Sequence, residues 1–147
     1  MSGTAVLTKI LDIREREKRD AELAYKRSVD LFEEVGTKLL RILQKKEAVE
    51  ASYEESLRSN MNLDQIQDQL AYIESLNKHI EDLQLQVQKA RYNMESKQQV
   101  LTEAHVETKK FEKIIDIRAT EEQEVLKRAE ATFMDDISIQ QYLSHKK

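Results

Sequence analysis

The sequence predicts an all-α fold: an antiparallel two-helix coiled-coil hairpin, drawn out into an elongated rod. The chain has 147 residues with no proline and two glycines, which excludes a fold built on many tight turns. Apolar residues recur every seven positions along most of its length, as the a and d positions of a coiled coil do. With 35% charged and 39% hydrophobic residues, the composition suits a narrow apolar seam.

The first helix is predicted over about residues 5–58, where Gly36 is the one residue with a poor helix propensity. Its apolar row is interrupted at Ser28 and Lys46. The members of the row follow one another in steps of three, four or seven residues. They are Ala21, Tyr25, Phe32, Val35, Leu39, Ile42, Val49 and Tyr53.

A turn is predicted at about residues 59–62. Asn60 can adopt a positive φ and end the first helix. Either Asn62 or Ser59 can cap the next helix, and Asp64 then lies in its first turn, where a negative charge is favourable.

The second helix is predicted over about residues 63–134 because its heptad pattern is stronger. One row takes every seventh residue, and seven of its eight members are apolar. They are Ile66, Ile73, Ile80, Val87, Met94, Leu101, Thr108 and Ile115. The stripe weakens at Arg118 and Glu122. We expect Asp135 and Asp136 to end the helix and to begin a separate C-terminal segment, 135–147, with a short helix from Ile137 to Leu143.

Geometry then predicts the arrangement of the two helices. Helices of about 55 and about 70 residues span roughly 80 and 105 Å at 1.5 Å per residue. A short turn makes them antiparallel, so both termini lie at one end and part of the longer second helix overhangs. We expect no concave pocket on such a rod.

Several functional classes are excluded by the composition. No cysteine is present, so there is no disulfide or thiolate site, and no glycine cluster forms a phosphate-binding loop. The net charge of −4 and the interleaved acids and bases argue against nucleic-acid binding. No apolar run approaches the ~18 residues of a membrane span, so we expect a cytoplasmic protein without membrane insertion.

Enzymatic chemistry is not expected either. His79, His105 and His145 have no second His or Cys nearby to complete a metal site. Asp135 and Asp136 diverge by ~100° on a helix, which does not form an acid–base pair. We therefore expect no catalytic residue, no metal and no cofactor.

One candidate binding surface lies near the start of the second helix. Tyr72, Leu76, His79 and Leu83 fall at i, i+4, i+7 and i+11, which is one helical face. Leu76 and Leu83 also belong to a second row of α-helical heptad positions, the d row, which together with the Ile66 row (the a row) makes one a/d stripe. The members of the d row are Leu76, Leu83, Ala90, Lys97, Ala104, Phe111, Arg118 and Val125. The face is therefore either part of the seam or a contact surface for a partner.

A second candidate surface lies at the N-terminus. Leu7, Ile10 and Leu11, with Ile13 beside them, precede the regular seam of the first helix, and basic residues including Arg14 surround them. This stripe can pair with the other end of the chain or enter the cavity of a partner. The residues available for pairing are Val125, Leu126, Phe133, Ile137 and Ile139.

Three segments resemble the family of the flagellar export protein FliJ, especially its Gram-positive members, and the likeness covers essentially the whole chain. They are Leu11-Asp-Ile-Arg-Glu15, Glu107-Thr-Lys-Lys-Phe-Glu-Lys113 and Met134-Asp-Asp-Ile-Ser-Ile-Gln-Gln-Tyr142. The last of these is the most specific, because the general heptad pattern of coiled coils does not account for it. The resemblance implies an antiparallel coiled coil similar to the central-stalk γ subunit of F-type ATPases.

The same resemblance implies a non-enzymatic stalk of the flagellar type III export apparatus, cytoplasmic and peripheral to the inner membrane. In the family, the terminal end sits in the hexameric export ATPase and promotes its assembly and activity. The rod also contacts the membrane export gate and export chaperones, and we expect a monomer when it is free. The residues implied for the ATPase end are Leu7, Ile10, Leu11, Arg14, Ile137 and Ile139.

For the gate, the resemblance implies contacts by Tyr72, Leu76, His79 and Leu83, although His79 and Leu83 differ in type from the family pattern. Two first-helix tyrosines of enteric members correspond to Lys45 and Val49 here, so no contact is assigned to them. The alternative function is a general coiled-coil scaffold or an export-substrate chaperone. An intermolecular coiled-coil dimer is disfavoured by the predicted turn.

Overall fold

The computed structural model of the protein describes residues 2–59 and 62–145 and contains two helices. Helix α1 runs over Ser2–Arg58 (57 residues) and helix α2 over Leu63–His145 (83 residues). The described residues form no strand, so the predicted all-α hairpin is confirmed. Within these ranges, neither helix has a stretch long and apolar enough to cross a membrane.

The turn ends in the cap that the sequence predicted. The Asn62 side-chain Oδ1 accepts a hydrogen bond from the Asp64 backbone N–H at 3.2 Å, so Asn62 caps α2. Asp64 lies in the first turn of α2, where its charge opposes the helix dipole. The predicted helix end at Asn60 lies outside the described residues, and so do the last two lysines of the C-terminal segment.

The expected break at Asp135 is wrong, because α2 continues without interruption to His145. Asp135 and Asp136 are exposed within the helix and no Gly or Pro follows them. Aspartate costs only about 0.7 kcal/mol of helix propensity relative to alanine, which is too little to stop a helix without such a breaker. The Ser138 hydroxyl donates to the Met134 carbonyl at 2.9 Å across the expected break.

The sequence predicts a single coiled-coil domain over residues 1–147, and two compact units are present within it. One unit comprises Met1–Lys18 with Glu103–Lys147, and the other comprises Arg19–Thr102. We call them the terminal unit and the turn unit. The helices are antiparallel within each, as the residue pairs across the seam show.

The turn unit contains the apolar core of the described residues. Its buried apolar side chains are Ala21, Val35, Ile73, Leu76, Ile80, Leu83 and Ala90. Two cations cover aromatic rings across the seam: Lys45 Nζ lies 5.6 Å from the Tyr72 ring centroid, and the Arg91 guanidinium lies 5.7 Å from that of Phe32. The predicted a and d rows therefore form the seam here.

The terminal unit has a different kind of seam. Thr108 is 2% exposed, and its hydroxyl donates to the Ala104 carbonyl at 2.8 Å and lies 3.3 Å from the Arg14 carbonyl of α1. The Arg14 guanidinium lies 5.8 Å from the Phe111 ring centroid. Nearer the N-terminus, Thr4 donates to Glu122 at 3.2 Å. These contacts place the start of α1 beside the middle of the 103–145 stretch.

Candidate partner-binding surfaces

A long exposed surface is formed by the last part of α2, which we call the α2 overhang (residues 123–145). Every described residue from 116 to 145 is exposed except the half-buried Ile137. The overhang nevertheless carries large apolar side chains at 57–65% exposure. They are Val125, Leu126, Phe133, Met134, Ile139, Tyr142 and Leu143. Exposed apolar residues in this number indicate an interaction site.

The physical cause of the overhang is the pairing register. The side chain of Thr4 already contacts Glu122, so few α1 residues remain to cover the rest of an 83-residue α2. A helix of this length draws little stability from propensity alone and depends on packing of its apolar face. The predicted overhang is confirmed, and the alternative pairing of the N-terminal stripe with Val125, Leu126 and Phe133 is excluded by their exposure.

An open groove of about 650 Å³ lies where the overhang begins. The residues that line it are Arg118, Glu121, Glu122, Val125 and Leu126. Acidic side chains therefore edge an apolar floor. The sequence identified Val125 and Leu126 as apolar but assigned them to the seam, and the unequal lengths of the two predicted helices were the signal that they lie beyond it.

The residues predicted for the ATPase end fall into two groups. Leu7, Ile10 and Leu11 are half-buried in the seam of the terminal unit. Ile137 and Ile139 lie on the overhang, where Ile137 is half-buried and Ile139 is 57% exposed. Arg14 stacks on Phe111 and forms an ion pair with Glu17 at 3.0 Å. The structure therefore does not bring the six residues into one surface.

The face predicted for the gate is also divided by burial. Leu76 and Leu83 are 5% and 3% exposed, so both belong to the seam and a partner approaching from solvent cannot reach them. Tyr72 is 41% exposed and His79 is exposed one heptad later. The accessible part of the predicted face thus consists of Tyr72 and His79.

Lys45 is positioned at the edge of this face. Its ammonium group covers the Tyr72 ring from α1, at a position where no contact was assigned. A partner that binds Tyr72 therefore meets a cation beside the ring. The sequence did show that a lysine, Lys45, stands where enteric members of the family have a tyrosine. The heptad pattern alone gave that lysine no role.

A further exposed pair lies on the outer side of α2. Leu85 is 59% exposed and Tyr92 is 76% exposed, and they are seven residues apart. The heptad pattern does not indicate them, because neither belongs to the a or d row.

No group of His, Cys, Asp and Glu among the described residues is arranged to hold a metal ion.

Comparisons with known proteins agree with the family suggested by the three sequence segments. The family model "Flagellar FliJ protein" matches residues 4–147. The chain is 36% identical over 139 residues to the "Flagellar FliJ protein" of Bacillus subtilis (strain 168), and the match covers 92% of each protein. No solved structure matches the chain. The chain therefore belongs to the FliJ family and is a component of the flagellar export system.

Proposed function

We propose that this protein is a non-enzymatic coupling component of the flagellar type III export apparatus. In this proposal the α2 overhang enters the hexameric export ATPase and promotes its assembly and activity. The face around Tyr72 engages the membrane export gate, and the protein works in the cytoplasm at the inner membrane. Export chaperones are further partners of the same protein.

The exposure of the overhang is the observation that carries the ATPase proposal. A single helix with large apolar side chains on its surface needs a partner that covers them. A channel inside a ring covers a helix from all sides, which suits exposed side chains spread as widely around the helix as Phe133, Met134 and Ile139.

The test is ATP hydrolysis by the purified export ATPase, with ring assembly followed by mass in the presence of nucleotide. We expect the chain to stimulate hydrolysis, and Phe133→Ala to reduce the stimulation at least about fivefold, because an exposed aromatic anchor contributes about 1–2 kcal/mol or more to a contact. The matched control is Lys127→Ala, which changes an exposed residue of the same overhang that is not an aromatic anchor. An unstimulated ATPase, or equal effects of the two substitutions, contradicts the proposal.

The gate proposal is supported by an exposed ring with a cation beside it. We expect Tyr72→Ala to weaken binding to the purified export gate protein about tenfold, as the loss of an interface tyrosine does. The matched control is Tyr92→Ala, because Tyr92 is exposed on another side of the same helix. Equal losses for both variants contradict this placement of the gate surface.

The alternative function, a scaffold or substrate chaperone, uses the same exposed apolar surface for unfolded clients. It predicts that the chain suppresses aggregation of an unfolded export substrate and leaves the ATPase rate unchanged. The stalk proposal predicts the reverse, so the two assays together separate the functions.

A further inference from the structure

The two units differ sharply in how well their seams are buried. All the buried apolar side chains of the described residues lie in the turn unit. In the terminal unit, the buried residue among those described is Thr108, which is polar. The apolar residues that face one another there are all half-buried. They are Leu7, Ile10, Leu11, Phe111, Ile114 and Ile115.

The sequence explains this difference. In the turn unit, consecutive seam positions of α2 carry large apolar residues. They are Ile73, Leu76, Ile80 and Leu83. In the terminal unit, several seam positions carry small or charged residues instead. They are Arg14 and Lys18 on α1 and Ala104, Glu107 and Thr108 on α2. Small and charged side chains remove little apolar surface from water, so they contribute little to holding two helices together.

The polar contacts across this seam do not replace the missing apolar burial. The Thr4–Glu122 hydrogen bond is exposed, where competition with water makes such a bond weak. The Thr108 hydroxyl has one proton, and it lies closer to the Ala104 carbonyl of its own helix, at 2.8 Å, than to the Arg14 carbonyl across the seam, at 3.3 Å. The Nε of Arg14 is buried and has no hydrogen-bond partner among the described residues. An unpaired buried donor favours opening, because opening returns it to water. The stacking of Arg14 on Phe111 is an aromatic contact between the helices of this unit.

We propose that residues 2–18 of α1 form a releasable strap. The strap separates from residues 103–122 of α2 while Arg19–Thr102 stays paired, and the Arg14–Phe111 contact is its latch. Release uncovers the apolar stripe of the strap and the α2 surface around Phe111, Ile114 and Ile115. This inference concerns the free chain and does not depend on the proposed function.

Hydrogen exchange of the full chain, followed by mass spectrometry of peptides, tests the strap directly. We expect backbone amides in 6–18 and 104–118 to exchange at least about tenfold faster than those in 25–57 and 66–100, because local openings cost less than global unfolding. Equal protection in the two units overturns the proposal.

A matched pair of substitutions tests the latch. Phe111→Ala removes the ring under Arg14 in the terminal unit, and Phe32→Ala removes the ring under Arg91 in the turn unit; the cation–ring distances are 5.8 and 5.7 Å. We expect Phe111→Ala to speed exchange further in the terminal unit alone and to leave the midpoint of global unfolding unchanged. Phe32→Ala should lower that midpoint. If Phe111→Ala instead speeds exchange throughout the chain, the strap does not open independently.

Distances between spin labels give a second readout. The protein has no cysteine, so paired cysteines carry the labels specifically. We expect the Thr4→Cys/Glu122→Cys pair to show a second, longer distance population that increases with Phe111→Ala. The Lys45→Cys/Tyr72→Cys pair, which spans the turn unit, should show a single population. A single short distance at residues 4 and 122 in both backgrounds overturns the proposal.

Discussion

Individual side chains on one helical face have opposite roles in this protein. Leu76 and Leu83 are buried between the helices of the turn unit, whereas Tyr72 and His79, on the same turns of α2, are exposed. The d positions point at the partner helix, and the g positions flank it. A substitution on this face therefore tests either stability or binding, depending on the residue chosen.

We expect Leu76→Ala to lower the free energy of unfolding by about 2–5 kcal/mol, because it removes a buried side chain and leaves a cavity. Urea denaturation followed by circular dichroism measures the change. Leu85→Ala, the same substitution at a 59% exposed position, should change the stability by less than about 0.5 kcal/mol. Similar values for the two variants place Leu76 outside the seam.

At the scale of the helices, the difference in length is the main structural fact. The 57 residues of α1 are fewer than the 83 of α2, and the overhang is helical although all of its large apolar side chains except Ile137 are exposed. We therefore expect the overhang to contribute little stability to the hairpin and to act in the proposed contact with the export ATPase.

A shortened chain that ends at Glu122 tests this division of roles. We expect its thermal midpoint to differ from that of the full chain by no more than about 4 °C, the shift that corresponds to roughly 1 kcal/mol in a protein of this size. Its helical circular dichroism per molecule should fall by about one sixth, the share of helical residues removed. A large drop in the midpoint shows that the overhang packs against the hairpin.

At the scale of the whole molecule, the pairing of the chain with itself decides its oligomeric state. The turn unit buries its apolar row within one chain, so this seam is not available to a second copy. Acidic residues exceed basic ones, 28 to 24, and the net charge of −4 adds repulsion between copies.

We therefore expect a monomer of 17.3 kDa in light scattering at micromolar concentration and moderate salt. A mass of twice this value means that the overhang or another exposed face pairs between copies. Repeating the measurement with the chain that ends at Glu122 identifies the surface that pairs. If the shortened chain has the mass of a monomer, the overhang forms the contact.

Much of the fold was predictable from the sequence, because local features determine it. The heptad rows predicted the seam, Asn62 and Asp64 predicted the start of α2, and the segment from Met134 to Tyr142 indicated the family. The predicted break at Asp135 was wrong because an aspartate does not by itself end a helix. No glycine or proline follows it to prevent the helix from continuing. A helix face and a good cap are properties of neighbouring residues, so periodicity and residue type suffice to predict them.

Burial was decided by the tertiary structure alone. Whether Leu83 is covered and Phe133 is not depends on how far α1 extends along α2, which the pairing register sets. The same register places Arg14 over Phe111 and leaves its Nε without a partner. Sequence periodicity specifies which side of a helix is apolar, but only the position of the opposing helix determines which part of that side is removed from water.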